Sequence, residues 1–308
     1  MSQWCAAFGL TFCNTASDLV TLPFAEIDPP AGAVDVTVRL GQVATALPGA
    51  VANNGLWSVK PGAFHLSDTP VGRLMLLEGR ELIIDPAAGA SASDLRIYIT
   101  GSAIAALLMQ RQIVPLHASA VLMDGNAVLF AGPAGAGKST LLAALLQRGY
   151  TALSDDVVGV VLAPDGTPQI RPGYPVIKLW EDVLAKIPMP QDAGETTQIR
   201  DGLAKHVLPV EQFDMAQRPL RHIYLLGQRV KGDVSAKRIQ GPQLIEQLRS
   251  VCYRKRMIQG LGAQPAQFAA LAALVKHVPT FVLPRKNIPF SATQMADCVE
   301  QTSAGSDA

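Results

Sequence analysis

The sequence predicts an α/β protein in two parts, a smaller β-rich part over residues 1–100 and a larger α/β part over residues 101–308, and three observations carry that reading. Before residue 100, short β-branched or alternating runs at 34–38, 64–66 and 82–84 are separated by Pro, Gly and Asn turn signals. From Gly101 the pattern changes to 102–110, an Ala/Leu-rich stretch without Gly or Pro that favours a helix. Beyond it, apolar strands and helical stretches alternate around one glycine-rich run at 132–139.

With 308 residues, 49% hydrophobic and 17% charged, the chain has material for one large core or two modest ones. A formal charge of +1 argues against a general polyanion binder, so nucleic acid is not an expected partner. The charge is unevenly spread. Residues 1–100 hold five Lys/Arg against nine Asp/Glu, leaving 21 against 16 beyond, and 200–256 is the most basic stretch. Cys5, Cys13, Cys252 and Cys298 form no CxxC pair and have no His at metal-ligand spacing, which indicates neither zinc nor a disulfide framework and suits a reducing compartment. No basic stretch precedes the first apolar residues, and no apolar run approaches the roughly 18 residues of a membrane span, so a soluble cytoplasmic protein is expected.

Along the second part, a strand at 116–122, the turn Asp124-Gly125-Asn126 and a strand at 127–131 read as a β-hairpin leading into the glycine-rich run. A helix at 140–147 follows and stops at Gly149. Strands are expected at 150–153, 157–162, 223–227 and 281–283, helices at 243–249, 266–276 and from about Ser291, and a frayed tail at 302–308.

Gly132-Pro133-Ala134-Gly135-Ala136-Gly137-Lys138-Ser139, continued by Thr140, satisfies G-x-x-x-x-G-K-[ST] with an apolar strand before it and an apolar helix after it. Glycine permits positive φ and close backbone approach, so successive N–H groups and the helix N-terminus converge on phosphate oxygens. In such a loop Lys138 faces the β- and γ-phosphates of ATP and the Ser139 hydroxyl ligates Mg²⁺. Seventeen residues after Lys138 come Asp155 and Asp156, at the end of an apolar strand. A carboxylate there suits Mg²⁺, and a second one suits a proton acceptor whose pKa crowding of like charge would raise. His117 lies 21 residues before Lys138, while His65, alone in a strand of the first part, is left without a role.

The ordered set 116–121, 132–140 and 148–156, with His117, the loop and the Asp pair, resembles the catalytic core of HPr kinase/phosphorylase over about 40 contiguous residues. Leu283-Pro284-Arg285-Lys286-Asn287-Ile288-Pro289 is similar to that family's late basic loop, which brings Arg285 and Asn287 to the nucleotide. The resemblance implies a P-loop kinase domain preceded by a smaller β-rich domain, and transfer of the γ-phosphoryl group of ATP to a Ser hydroxyl of a protein or peptide. It implies Asp155 as base, Asp156 as support for Mg²⁺ together with Ser139, and His117 as orienter of the base, with the reverse division of the aspartates open. It also implies a tendency to assemble as a homo-oligomer.

The glycine-rich signature that the bifunctional members carry between the Asp pair and the late loop has no counterpart, and 171–180 stands in its place. The segment 172–180, with the β-rich front part, is more similar to the relatives found with lasso-peptide biosynthesis genes, which phosphorylate the C-terminal Ser of a precursor peptide. Lys178, Arg200, Lys205 and Arg285 are then candidates for holding the transferred phosphate or a peptide carboxylate. An HPr-like protein kinase, a small-molecule kinase and a non-catalytic nucleotide-dependent sensor are the alternatives.

Overall fold

A computed structural model describes residues 2–187, 197–199, 204–286 and 291–305. The chain divides into two compact units, one built mainly on Met1–Pro115 and Tyr253–Ala269, the other on Leu116–Gln198, Gly202–Cys252 and Ala270–Ala308.

In the first unit nine strands form one sheet among the described residues, in the order Ala25–Glu26, Gln3–Ala7, Leu10–Asn14, Val36–Leu40, Glu81–Pro86, Gly72–Leu77, Ala63–Thr69, Trp57–Lys60 and Ala52–Asn53. Burial alternates along Leu10–Asn14, as a strand with one covered face requires. Phe12, Val36, Val38, Leu76 and Leu82 meet Ile99, Ile104 and Leu107 of the helical stretch Ala92–Gln110. That stretch begins earlier than the sequence pattern indicates. Ser91 caps it by accepting from the N–H of Asp94, and a π-helical turn at Ile99–Ala103 carries the chain through Gly101, where the pattern had started afresh. It is long and apolar enough to cross a membrane, yet 67% of its most apolar window is buried inside the fold. The composition changes near residue 100, whereas the compact units divide at Pro115, because this helix packs on the first sheet. The segment Tyr253–Ala269 belongs to the same unit: the N–H of Tyr253 donates to Pro115 O at 2.8 Å, and a side chain at Gly260 would collide with Val59.

The second unit is organised around the hairpin Ala118–Met123 and Asn126–Ala131. Asp124 and Gly125 turn it at φ 48° and 75°, the left-handed pair that a tight hairpin needs. Asn126–Ala131 runs parallel to Arg218–Leu225, which runs parallel to Thr280–Val282, while Thr151–Ser154 pairs antiparallel with the other hairpin strand. Asn126–Ala131 is buried along nearly its whole length, which accounts for its unbroken apolar run. The helix Lys138–Leu146 lies in a core with Val121, Phe130, Tyr224, Phe281, Met295 and Val299, and the Tyr224 and Phe281 rings stack at 5.3 Å.

The C-terminal end of this unit also differs from the sequence expectation. The tail expected to fray from residue 302 is helical through Gly305, within Ala292–Gly305: Thr302 Oγ1 donates to Cys298 O at 2.7 Å, and Ser303 is buried within 3.3 Å of the Tyr224 hydroxyl. Arg148 reinforces that helix from outside through Asp297, at 2.7 Å, and Glu300. Val176–Trp180, to which the sequence reading assigns no element, is a strand paired antiparallel with Lys205–Pro209, which also pairs with Thr197–Gln198. Pro172, Gly173 and Pro175 precede it, and Ile177 and Leu179 bury on alternate positions as in any half-covered strand.

Phe130 is fully buried between the loop helix and the sheet. Phe130→Ala is expected to cost about 3–5 kcal/mol, read as a lower urea midpoint with the slope unchanged.

Candidate active site

The phosphate loop leaves Asn126–Ala131 and enters Lys138–Leu146 through two residues that an L side chain would strain, Gly135 at φ 75° and Gly137 at φ 99°. A Cβ on Gly135 would meet nothing within 4 Å, and one on Gly137 only Arg285 Nη1 at 3.8 Å, so the loop opens onto free space. That space is a cleft of about 690 Å³, lined by the loop residues Ala134, Gly135, Gly137, Lys138, Ser139 and Thr140 and by His117, Asp156, Lys178, Trp180, Lys205, Arg229, Arg285 and Lys286, among others.

Lys138 is 6% exposed, and its ammonium donates to Gly132 O at 3.0 Å and Pro133 O at 3.1 Å. His117 Nε2 lies 2.9 Å away from it. His117 Nδ1 lies 2.9 Å from the carbonyl oxygen of Asp156, which can only accept, so Nδ1 carries the proton and Nε2 accepts from Lys138. All three ammonium donors are therefore used within the chain, two on the loop's carbonyls and one on His117.

The two aspartates point in different directions. Asp155, 4% exposed, accepts on Oδ1 from the hydroxyls of Ser119 at 2.6 Å and Ser139 at 2.8 Å, and on Oδ2 from the N–H of Lys178 at 2.9 Å. The N–H of Val157 then donates to Asp155 O, closing a three-residue turn around Asp156 at φ 72°, a strained conformation for a residue with a side chain. The turn swings Asp156 into the cleft, where Oδ2 accepts from Lys178 Nζ at 2.8 Å and Oδ1 lies 3.3 Å from His117 Nδ1. Gly173 stands against the turn because a Cβ there would collide with the Ser154 hydroxyl, which holds the Val157 carbonyl.

Crowding of the two carboxylates was expected to raise the pKa of one. For Asp156 the structure gives the opposite direction: burial does disfavour its charge, but Lys178 and the hydrogen bond from His117 outweigh it and hold the carboxyl well below the usual range. Lys178 is the reason, since the sequence had no means of placing it on Asp156.

His117, Lys138, Ser139, Asp155, Asp156 and Lys178 thus form one hydrogen-bonded cluster, and Lys205 and Arg285 line the same cleft. Arg200 and Asn287 lie outside the described residues. Ser119, Trp180, Arg229 and Lys286 had no role assigned from sequence. Ser119 sits in a strand buried at almost every position, where only its polarity marks it out. The donor set fits a nucleoside triphosphate with Mg²⁺: an open cradle of positive-φ glycines, an ammonium at its base, a hydroxyl next to a buried carboxylate, and Arg285, whose Nε is buried with no hydrogen-bond partner among the described residues.

No protein-family model and no curated protein matches the chain. Among solved structures, the HPr(Ser) kinase/phosphatase from Coxiella burnetii aligns with 63% of this chain and 99% of its own at 16% identity, with a TM-score of 0.33, too distant a likeness to carry weight.

Burial lowers the Lys138 ammonium to about 8, with Asp155 and Asp156 opposing and Lys205 adding to the shift. In the unfolded chain a lysine titrates near 10.4. Below pH 8 both states hold the proton and the cost of burying the charge is fully present; between the two values the unfolded chain binds more proton, so native stability rises with pH. Relative to Lys138→Met, the nucleotide-free protein is expected to gain about 1–3 kcal/mol across that window. Urea midpoints of both proteins at several pH values measure it, and parallel pH profiles would refute it.

Proposed function

We propose that this chain is an ATP- and Mg²⁺-dependent serine kinase of the cytoplasm, transferring the γ-phosphoryl group to a peptide or protein, with the C-terminal Ser of a lasso-type precursor peptide as acceptor. The observation that supports it most is the divergence of Asp155 and Asp156 from one strained turn, the first under the Ser139 hydroxyl and the second in the cleft beside Lys178 and His117. A loop that only binds nucleotide has no need of the second carboxylate. The acceptor class rests on the sequence resemblance of 116–156 and 172–180.

When bound, MgATP supplies the phosphoryl group and the metal's charge. Lys138 would exchange the carbonyls of Gly132 and Pro133 for phosphate oxygens. Ser139 and Asp155 would hold the Mg²⁺, and the hydrogen bond between them fixes both groups. Asp156 takes the acceptor hydroxyl's proton, which reverses the division of labour first inferred for the pair. Its low pKa keeps it ionised, and phosphoryl transfer asks mainly for position and charge rather than for a strong base. His117 orients Asp156 through Nδ1, and Lys178 steadies both aspartates, one through its backbone N–H and the other through its ammonium. Arg285 stands at the loop to meet charge on the leaving side.

With γ-labelled ATP and Ser-terminated peptides, the wild-type protein is expected to give labelled phosphoserine. Asp156→Asn is expected to lower that rate about 10²–10⁴-fold while still binding MgATP, whereas Ser139→Ala loses the response to Mg²⁺. A chain that binds MgATP but labels no Ser peptide, or an Asp156→Asn protein as active as wild type, would remove the kinase reading.

A further inference from the structure

Seven Lys and Arg line the cleft against two Asp, Asp156 and Asp182. Mg²⁺ cancels about half of a triphosphate's charge, so the nucleotide alone leaves this excess unmatched. Most of the cations are accounted for. Lys138 and Arg285 stand at the phosphate loop, Lys178 holds Asp156, Lys186 lies 3.8 Å from Asp182, and Lys286 lies 3.6 Å from Asp233. Lys205 is different: among the described residues it has no carboxylate within 4.0 Å, and its ammonium stands 5.8 Å from the ring centre of Trp180, itself 46% exposed.

The strand register fixes where that pair lies. Lys178 and Trp180 are two residues apart on Val176–Trp180 and so share a face, and Trp180 is directly opposite Lys205 on the neighbouring strand. The Lys205 and Trp180 pair is therefore displaced along the strand by about 7 Å from the residue that holds Asp156. An extended peptide whose hydroxyl sits on Asp156 covers that span in about two residues.

On the kinase reading above, we propose that Lys205 and Trp180 form an acceptor subsite for a carboxylate within two residues of the phosphorylated Ser. The free C-terminus of the acceptor and an Asp or Glu side chain are the two sources of that group. The Trp180 ring excludes water from one side of the ammonium and strengthens its attraction for the carboxylate. Of the cations considered for this purpose that the structure describes, Lys178 is committed to the aspartate, Arg285 stands at the glycine loop and Lys205 is placed to read the acceptor.

The test is fluorescence-anisotropy titration of labelled Ser hexapeptides on the full chain with a non-hydrolysable MgATP analogue bound. Three peptides are compared: one ending in Ser with a free carboxylate, one amidated with Asp after the Ser, and one amidated with Lys there. At least one of the two carboxylate peptides is expected to bind tenfold or more tightly than the Lys peptide, and whichever does so identifies the source. In Lys205→Gln that preference is expected to vanish while analogue affinity stays within twofold, and Lys205→Arg is expected to restore it. Equal affinity for all three peptides, a preference that survives Lys205→Gln, or an equal loss of analogue binding would each overturn the proposal. Carboxylate-selective binding without any phosphoserine from ATP would leave the subsite standing and refute the kinase reading instead.

Discussion

A carboxylate that is 4% exposed is tolerable only if its oxygens are met by donors, and Asp155 draws those donors from three separate segments. Ser119 comes from the hairpin, Ser139 from the first turn of the loop helix and the Lys178 N–H from the strand Val176–Trp180. Each donor sits on a regular element, so satisfying one charge sets the spacing of the phosphate loop against two strands. The Ser139 hydroxyl is thereby held in one orientation without any ligand.

The position of Asp155 also dictates that of its neighbour. With one aspartate drawn beneath the loop, the chain reverses within a single residue, and Asp156 takes a left-handed φ that few side chains accept. Asp is among the residue types that visit this region, and the hydrogen bonds from Lys178 and His117 repay the strain. Two consecutive residues of one type therefore occupy unlike environments, one closed beneath the loop and the other in the cleft. Lys178 touches both, so the geometry of the two carboxylates is coupled through a single side chain and its own backbone.

The phosphate loop carries its own stand-in for a ligand. Lys138 uses its three donors on Gly132, Pro133 and His117, which keeps a largely buried cation satisfied while the positive-φ glycines hold the loop open. His117 links this ammonium to the carbonyl of Asp156, joining the phosphate end of the cleft to the carboxylate end.

Local chemistry determined a good deal from the sequence alone. Asp124-Gly125 signalled the hairpin turn because both residue types accept the positive φ such a turn needs, the glycine loop signalled the start of a helix, and the apolar run after Asn126 read as a strand. The residue types around the loop likewise raise the expectation of phosphate and metal. Tertiary structure decided what no local pattern encodes: which way each aspartate faces, that Lys178 serves both of them, and that Lys205 lies across from Trp180. It also decided that the last helix persists through Gly305, because Ser303 is buried beside Tyr224 nearly 80 residues away in sequence. Helix and turn preferences act over a few neighbouring residues and are written in the chain. The direction of a charged side chain depends on partners brought from distant segments, and only packing brings them together.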